Sequence, residues 1–287
     1  VGKDVIIPLG YKVSVDKGFN LDLIKGASLI SNSAINFMGI AQFPVRIYSS
    51  DSTGGGVFIS GAKETSTLEH CFFTNLSNPN NEFWELSGAV NFNETDVSIR
   101  NCVFENSRCE DGLNIIRSTF SIDESLFKDT YSDAFDGDFV KGTIANSTFF
   151  NSGNDGIDVS GSDLILNNIT IENSSDKAIS AGENSKIKGE VITIIAGEIG
   201  IVSKDLSSVE LDKVKINNTR LGLAVFQKKN EFGPGSITVT NMKLEGVELD
   251  YLTENNSSLM IDYELTNTVS NKVIDKMYGR KYGKSSK

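Results

Sequence analysis

Phe104-Glu105-Asn106, Phe127-Lys128-Asp129 and Phe149-Phe150-Asn151 are three copies of one pattern, spaced 23 and 22 residues apart. Ile171, Ile194 and Ile216 continue the apolar column, and Asn173, Ala196 and Asn218 continue the column two residues on. A fixed period of this length marks a solenoid, in which one coil cannot bury its apolar face alone and stacking supplies the core. The alternation within each copy has period two, the period of a strand. The chain therefore reads as all-β: a single-stranded right-handed parallel β-helix with coils of about 22–23 residues, its hand set by the usual crossover preference.

Two strand segments recur in each coil. The first includes Val90-Asn91-Phe92-Asn93, Phe135-Asp136-Gly137-Asp138 and Ile157-Asp158-Val159-Ser160; the second runs through Ile99–Asn106, Ile122–Asp129 and Ile144–Asn151. Each ends in Gly, Asn, Asp or Ser, which tolerate turns. A column of stacked amides can donate to one neighbour and accept from the next, so the Asn column is expected to satisfy itself with its amides buried. The β-helix is assigned to 1–248, with irregular first coils in 1–50 and regular ones in 51–248. Residues 249–287 are read as a cap, a short helix over 270–278 and a basic tail. Two coils are overlong. Their insertions, Leu76–Leu86 with Trp84 and Gln227–Gly235 with Lys228, are expected to form loops that shape a binding surface.

The chain has 287 residues, 39% of them apolar, and a net charge of −11 at pH 7. That charge argues against nucleic acid or an anionic membrane as partner. It also argues against unaided binding of acidic polysaccharide. No apolar run is long enough to span a bilayer. Val1 reads as a processed end, which leaves other domains of a longer chain as expected partners. Cys71 and Cys102 share one inward column, and free buried thiols are expected there rather than a disulfide. The lone histidine, His70, aligns with Asn101, Glu124 and Asn146 and reads as a turn residue. Sequons such as Asn146-Ser-Thr and Asn173-Ser-Ser read as products of the repeat.

The residues that bear chemistry form an acidic run. Asp111, Asp133, Asp155 and Lys177 recur every 22 residues, and three residues further on come Asn114, Asp136, Asp158 and Ser180. The first set fits turn closure. Asp136, Asp138 and Asp158 lie within strands, where Asp is disfavoured, and are expected to point outward on one face. Carboxylates on adjacent coils fall about 5 Å apart, so they need compensation. Three sources are available: a bound Ca²⁺ held by Asp133, Asp136, Asp155 and Asp158, the nearby Lys177 and Lys204, or a working acid–base pair. Asp136, Asp158 and Lys204 are the candidate catalytic groups. Asp133, Asp138, Asp155, Arg117, Asp205, Trp84 and Lys228 are the candidate substrate contacts.

The coil period and the Asn and Phe columns over 5–248 resemble the pectate-lyase-like superfamily of right-handed β-helix proteins. The coils carrying 132–138, 153–161, 176–183 and 203–208 resemble the β-helix modules of CotH-type kinase-like surface proteins. The Asn154-Asp155 pair resembles the paired acids of polygalacturonase-like hydrolases, although their Gly-His-Gly and Arg-Ile-Lys motifs are missing. The resemblance implies a secreted or bacterial-surface module that binds a polysaccharide or oligosaccharide, with lyase, hydrolase or epimerase activity as the enzymatic possibility. The alternative is a non-catalytic structural or accessory solenoid domain.

Overall fold

Most coils alternate inward apolar and outward polar residues, as in Val97–Arg100 and Ser236–Thr240, and the strands stack in parallel with like residues in register. The computed structural model describes residues 1–267 and 273–277. It divides into two compact units, Val1–Gly142 and Thr143–Lys287.

In the first unit one sheet stacks Val5–Ile7, Ser28–Ser31, Gly56–Ser60, Gly88–Asn93, Asp111–Ile116 and Asp133–Asp138. All five pairings are parallel, for example Val90 with Leu113 and Leu113 with Phe135. The second sheet takes two short strands from each regular coil, such as Val97–Arg100 and Val103–Glu105. Phe73, Phe104 and Phe127 stack inside it, with centroids 5.1 and 4.7 Å apart and rings within 11° and 6° of parallel. Each such pair contributes roughly 0.5–1.5 kcal/mol beyond its buried area.

In the second unit the first sheet stacks Ile157–Ser160, Lys177–Gly182, Ile199–Lys204, Leu221–Phe226 and Leu249–Thr253. Its other sheet is built on Asp163–Glu172, Lys186–Ile195 and Ser208–Asn217. Phe149, Ile171, Ile194 and Ile216 are fully buried. In-register pairing extends past residue 248 through Leu249–Thr253 and Ser258–Ile261, and Glu264–Leu265 folds back antiparallel on the latter. Val273–Met277 is helical. The basic tail expected over 278–284 lies outside the described residues.

Two corners of each coil are held by left-handed residues. One column is His70, Asn101, Glu124, Asn146 and Asn168; the other is Asn75, Asn106, Asp129, Asn151 and Asn173, all with φ between 46° and 62°. Asn and Asp reach this region at little cost, which explains their recurrence and gives His70 its turn position. Asn168 donates to Asn146 at 2.9 Å and Asn173 to Asn151 at 2.7 Å, but these side chains lie at the solvent surface. The expectation of buried amides is thus corrected: backbone conformation, not interior hydrogen bonding, selects the residue.

Interior satisfaction falls instead to small hydroxyls and thiols. Cys71 N–H donates to Cys102 Sγ (3.4 Å) and Cys102 N–H to Ser125 Oγ (3.2 Å). Ser162 N–H donates to Ser185 Oγ and Ser185 N–H to Ser207 Oγ, both at 3.1 Å. Cys71, Cys102 and Cys109 are buried free thiols. Burial pushes the Cys109 thiol up to about 12, with Asp111 adding to the rise.

Candidate functional site

The outward side chains of the first unit's first sheet form rows across the coils. Phe58, Asn91, Asn114 and Asp136 are register partners. Asn114 Nδ2 bridges two carboxylates, donating to Asp136 Oδ2 at 2.7 Å and Asp111 Oδ2 at 3.1 Å. Asp111 and Asp133 pair in register at the strand starts. They are buried to 2% and 8% exposure. Gly88 opens the neighbouring strand because a Cβ there would meet Asn91 Oδ1 at 2.7 Å and Asn114 Cβ at 2.8 Å. Asp138 lies in the next outward column, opposite Ile116. Arg117 donates its backbone N–H to the Asp138 carbonyl, and its guanidinium stacks 5.5 Å from the Phe139 ring.

The first insertion folds onto this face. Asn81 Oδ1 accepts the N–H groups of Phe83 and Trp84, and Asn78 Nδ2 donates to Glu85 Oε1 at 2.8 Å. Trp84 thereby lies 6.1 Å from Phe58, tilted by 51°. Trp84 stays 36% exposed and Phe83 90%. An aromatic patch therefore borders the row of amides and carboxylates. The row's partner in this patch, Phe58, was not legible from the acidic run.

In the second unit the same two columns carry Asp155 and Lys177, then Asp158 and Ser180. Lys177 Nζ sits 3.1 and 3.2 Å from the two Asp155 oxygens and is also paired with Asp176. The Lys177 N–H donates to Asp155 Oδ1 at 2.9 Å. All three residues are at most 5% exposed. Burial pushes Asp155 up to about 6 against the pull of Lys177, with Asp158 and Asp176 adding to the rise. Lys204 Nζ donates to Ser180 Oγ at 2.8 Å and lies 3.9 Å from Asp158 Oδ1. That oxygen is buried and has no hydrogen bond. Asp155, Asp158 and Lys204 are thus brought together, with Asp176 and Ser180 completing the cluster. Asp176 lies outside the 22-residue column, and its only signal was adjacency to Lys177.

Further along, the columns turn apolar. Val202, Ala224 and Leu252 follow Ser180, and Ile199, Leu221 and Leu249 follow Lys177. Val273 and Met277 of the helix cover this stretch together with Phe226. Asp205 serves the second insertion: its Oδ1 accepts the N–H groups of Lys228 and Lys229 at 2.7 Å each. Lys229 also pairs with Glu183. Lys228 therefore meets Asp205 through its backbone.

Among the described residues no group of three or more His, Cys, Asp or Glu side chains is placed to hold a metal ion. In the second unit the Lys177 ammonium occupies the position between carboxylates that a cation would take.

No protein-family model matches the chain, and a sequence comparison with characterised proteins returns no match. Solved structures match by fold. The periplasmic alginate epimerase AlgG aligns over 90% of this chain and 76% of its own, at 12% identity and a TM-score of 0.52. The catalytic domain of a GH87 α-1,3-glucanase, solved with tetrasaccharides, aligns over 90% of this chain at 14% identity and a TM-score of 0.46. This chain spans 63% of that domain's length. The fold is a right-handed parallel β-helix. No helix among the described residues is long and apolar enough to cross a membrane.

Proposed function

We propose that the chain is a secreted or surface module that recognises a polysaccharide along the outward face of its first sheet. The carrying observation is the row Asn91–Asn114–Asp136, bordered by the Phe58–Trp84 patch. Its rungs repeat about every 4.8 Å. Asn91 and Asn114 are 3% exposed and support the row from beneath; the Asp136 carboxylate they lead to matches sugar hydroxyls, and the aromatic rings match the C–H faces of pyranoses. The periplasmic alginate epimerase AlgG is an instance of polysaccharide work on this fold. Fold alone does not carry substrate, so the argument rests on the row. Asp136→Ala and Trp84→Ala should each abolish or sharply weaken binding to a glycan array while the melting temperature holds. Unchanged binding in both variants would remove the proposal.

Turnover is a second reading, favoured by Asp158 Oδ1, which lies buried beside Lys204. A lyase or epimerase needs a base beside a site that neutralises a carboxylate, and a hydrolase needs a protonated acid. Lys204 and Asp158 of the second unit are the groups for these roles. Release of unsaturated products or reducing ends, lost in Lys204→Met and Asp158→Asn, supports it; silence across a broad panel excludes it. In the second unit Lys177 and Lys204 supply the neutralising charge in place of Ca²⁺, and in the first the Asn114 amide bridges Asp111 and Asp136. Calcium is then expected to leave both the melting temperature and glycan binding unchanged, and a calcium-dependent rise in either would restore the cation.

A further inference from the structure

In the first unit a groove of about 470 Å³ opens where the second sheet hands the chain back to the first, lined by Asn75, Asn106, Ser107, Arg108, Asp129 and Tyr131. We infer that this groove is a separate subsite for an anionic sugar residue, with Tyr131 as the stacking platform and Arg108 as the partner of the sugar's acid group. It uses none of the residues of the outward row, and it goes beyond the function proposed above.

Three observations carry this. The Tyr131 side chain is 74% exposed on the surface. Its N–H is tied to Ser107 Oγ at 3.4 Å, so the ring's base is anchored to the neighbouring coil. An anchored, exposed aromatic face is the element that packs against the apolar side of a pyranose.

The second observation is electrostatic. Arg108 is exposed, and among the described residues it makes no ion pair and no side-chain hydrogen bond. Its neighbour Lys128 is instead committed to Glu105 at 3.0 Å and Asp129 at 3.5 Å. The acid in the groove is therefore already served by a lysine, and the guanidinium is left over. Its planar fork fits a carboxylate or a sulfate through two parallel hydrogen bonds.

The third is a contrast between the units. In the second, Asn173 of this corner column bonds to Asn151. In the first, the side-chain amides of Asn75 and Asn106, from the same column, make no hydrogen bond among the described residues. The left-handed backbone at φ 57° and 55° explains why asparagine stands there, but it leaves both amides with donors and acceptors to offer sugar hydroxyls.

The test is titration calorimetry of the full chain with short oligogalacturonates, sulfated oligosaccharides and neutral cello-oligosaccharides. The acidic ligands should bind more tightly than the neutral one, and the first two arms separate a carboxylate from a sulfate ligand. Arg108→Gln should weaken the preferred acidic ligand by about tenfold or more, the scale of a lost charge-assisted pair, and leave the neutral ligand unchanged. Tyr131→Ala should weaken both classes. Both residues are exposed, so the melting temperature should hold in each variant. Equal affinity for acidic and neutral ligands, no effect of Arg108→Gln, or no binding by either acidic ligand overturns the subsite. Asp136→Ala keeps the groove intact. Short acidic oligomers that still bind this variant report on the groove alone, and loss of long-polymer binding in the same variant reports on the sheet face.

Discussion

At the scale of the residue, the central physical fact is a buried cluster of charges. Asp155, Asp176 and Lys177 are nearly solvent-free and satisfy one another. Removing one member leaves the others uncompensated, so Lys177→Met should lower stability by about 3–5 kcal/mol, read by chemical denaturation. Loss of less than about 1 kcal/mol would mean that the ammonium is not the compensating charge. Asp155 sets a pH dependence. The folded protein holds its proton up to about pH 6, whereas an unfolded aspartate releases it near 3.9. The native state thus binds the extra proton between those values, and stability falls as pH rises through that window, by about 2–3 kcal/mol in all. Asp155→Asn should flatten this slope between pH 4 and 6.5 in a series of denaturant midpoints. The run Asp111, Asp133, Asp155 and Lys177 was visible as spacing, but its burial was not. Turn chemistry and an interior ion cluster use the same letters, and only packing tells them apart.

At the scale of the element, each coil is a strand pair whose inward residues decide stability and whose corners decide register. Phe104 stacks between Phe73 and Phe127, so Phe104→Ala should cost about 3–5 kcal/mol through a cavity bounded by two rings. The insertion Leu76–Leu86 is a different case. Leu76 and Ser77 belong to the coils, Leu76 being buried and Ser77 N–H donating to the Gly54 carbonyl at 2.8 Å, whereas residues 78–86 are held largely by their own hydrogen bonds, such as Leu86 N–H to the Pro79 carbonyl at 3.1 Å. Replacing 78–86 with a short Gly-Ser turn should leave the thermal transition nearly in place and remove the aromatic half of the glycan face. A large drop in melting temperature would make the loop a structural brace instead. The strands and the two overlong coils were legible because period two and the 22-residue repeat are properties of the letters themselves. The inward Ser and Cys ladder was partly legible: the column Cys71, Cys102 and Ser125 was apparent, but the role of each side chain as acceptor for the preceding coil's N–H needed the backbone direction.

At the scale of the whole molecule, the outward face of the first sheet is where sequence reasoning succeeded and where it stopped. Alternation placed Asp136, Asp138 and Asp158 outside. Nothing in the spacing showed that Val202, Ala224 and Leu252 would occupy the same outward column as apolar residues under Val273 and Met277, because an outward apolar residue looks inward to any pattern of period two. That covered stretch bounds the polar face in the second unit. Val273→Asp should uncover it, seen as dye binding to exposed apolar surface and as self-association in sedimentation. Unaltered behaviour would show that the helix contributes little cover. The acid-to-apolar change along one column also explains why the catalytic candidates cluster at Asp158 and Lys204 rather than further along the chain. The left-handed corners have a final consequence, for how such a chain can change length. With Asn146 and Asn168, then Asn151 and Asn173, fixed at the same two corners of successive coils, a residue inserted inside a strand would turn the rest of that strand to the wrong face, whereas spacings of both 22 and 23 residues show that a turn absorbs a single residue. A whole coil could be duplicated without disturbing any corner. Growth by recombination is thus favoured in whole coils, and larger variation in length falls in places such as 76–86 and 227–235, where a loop leaves the coil and returns to it.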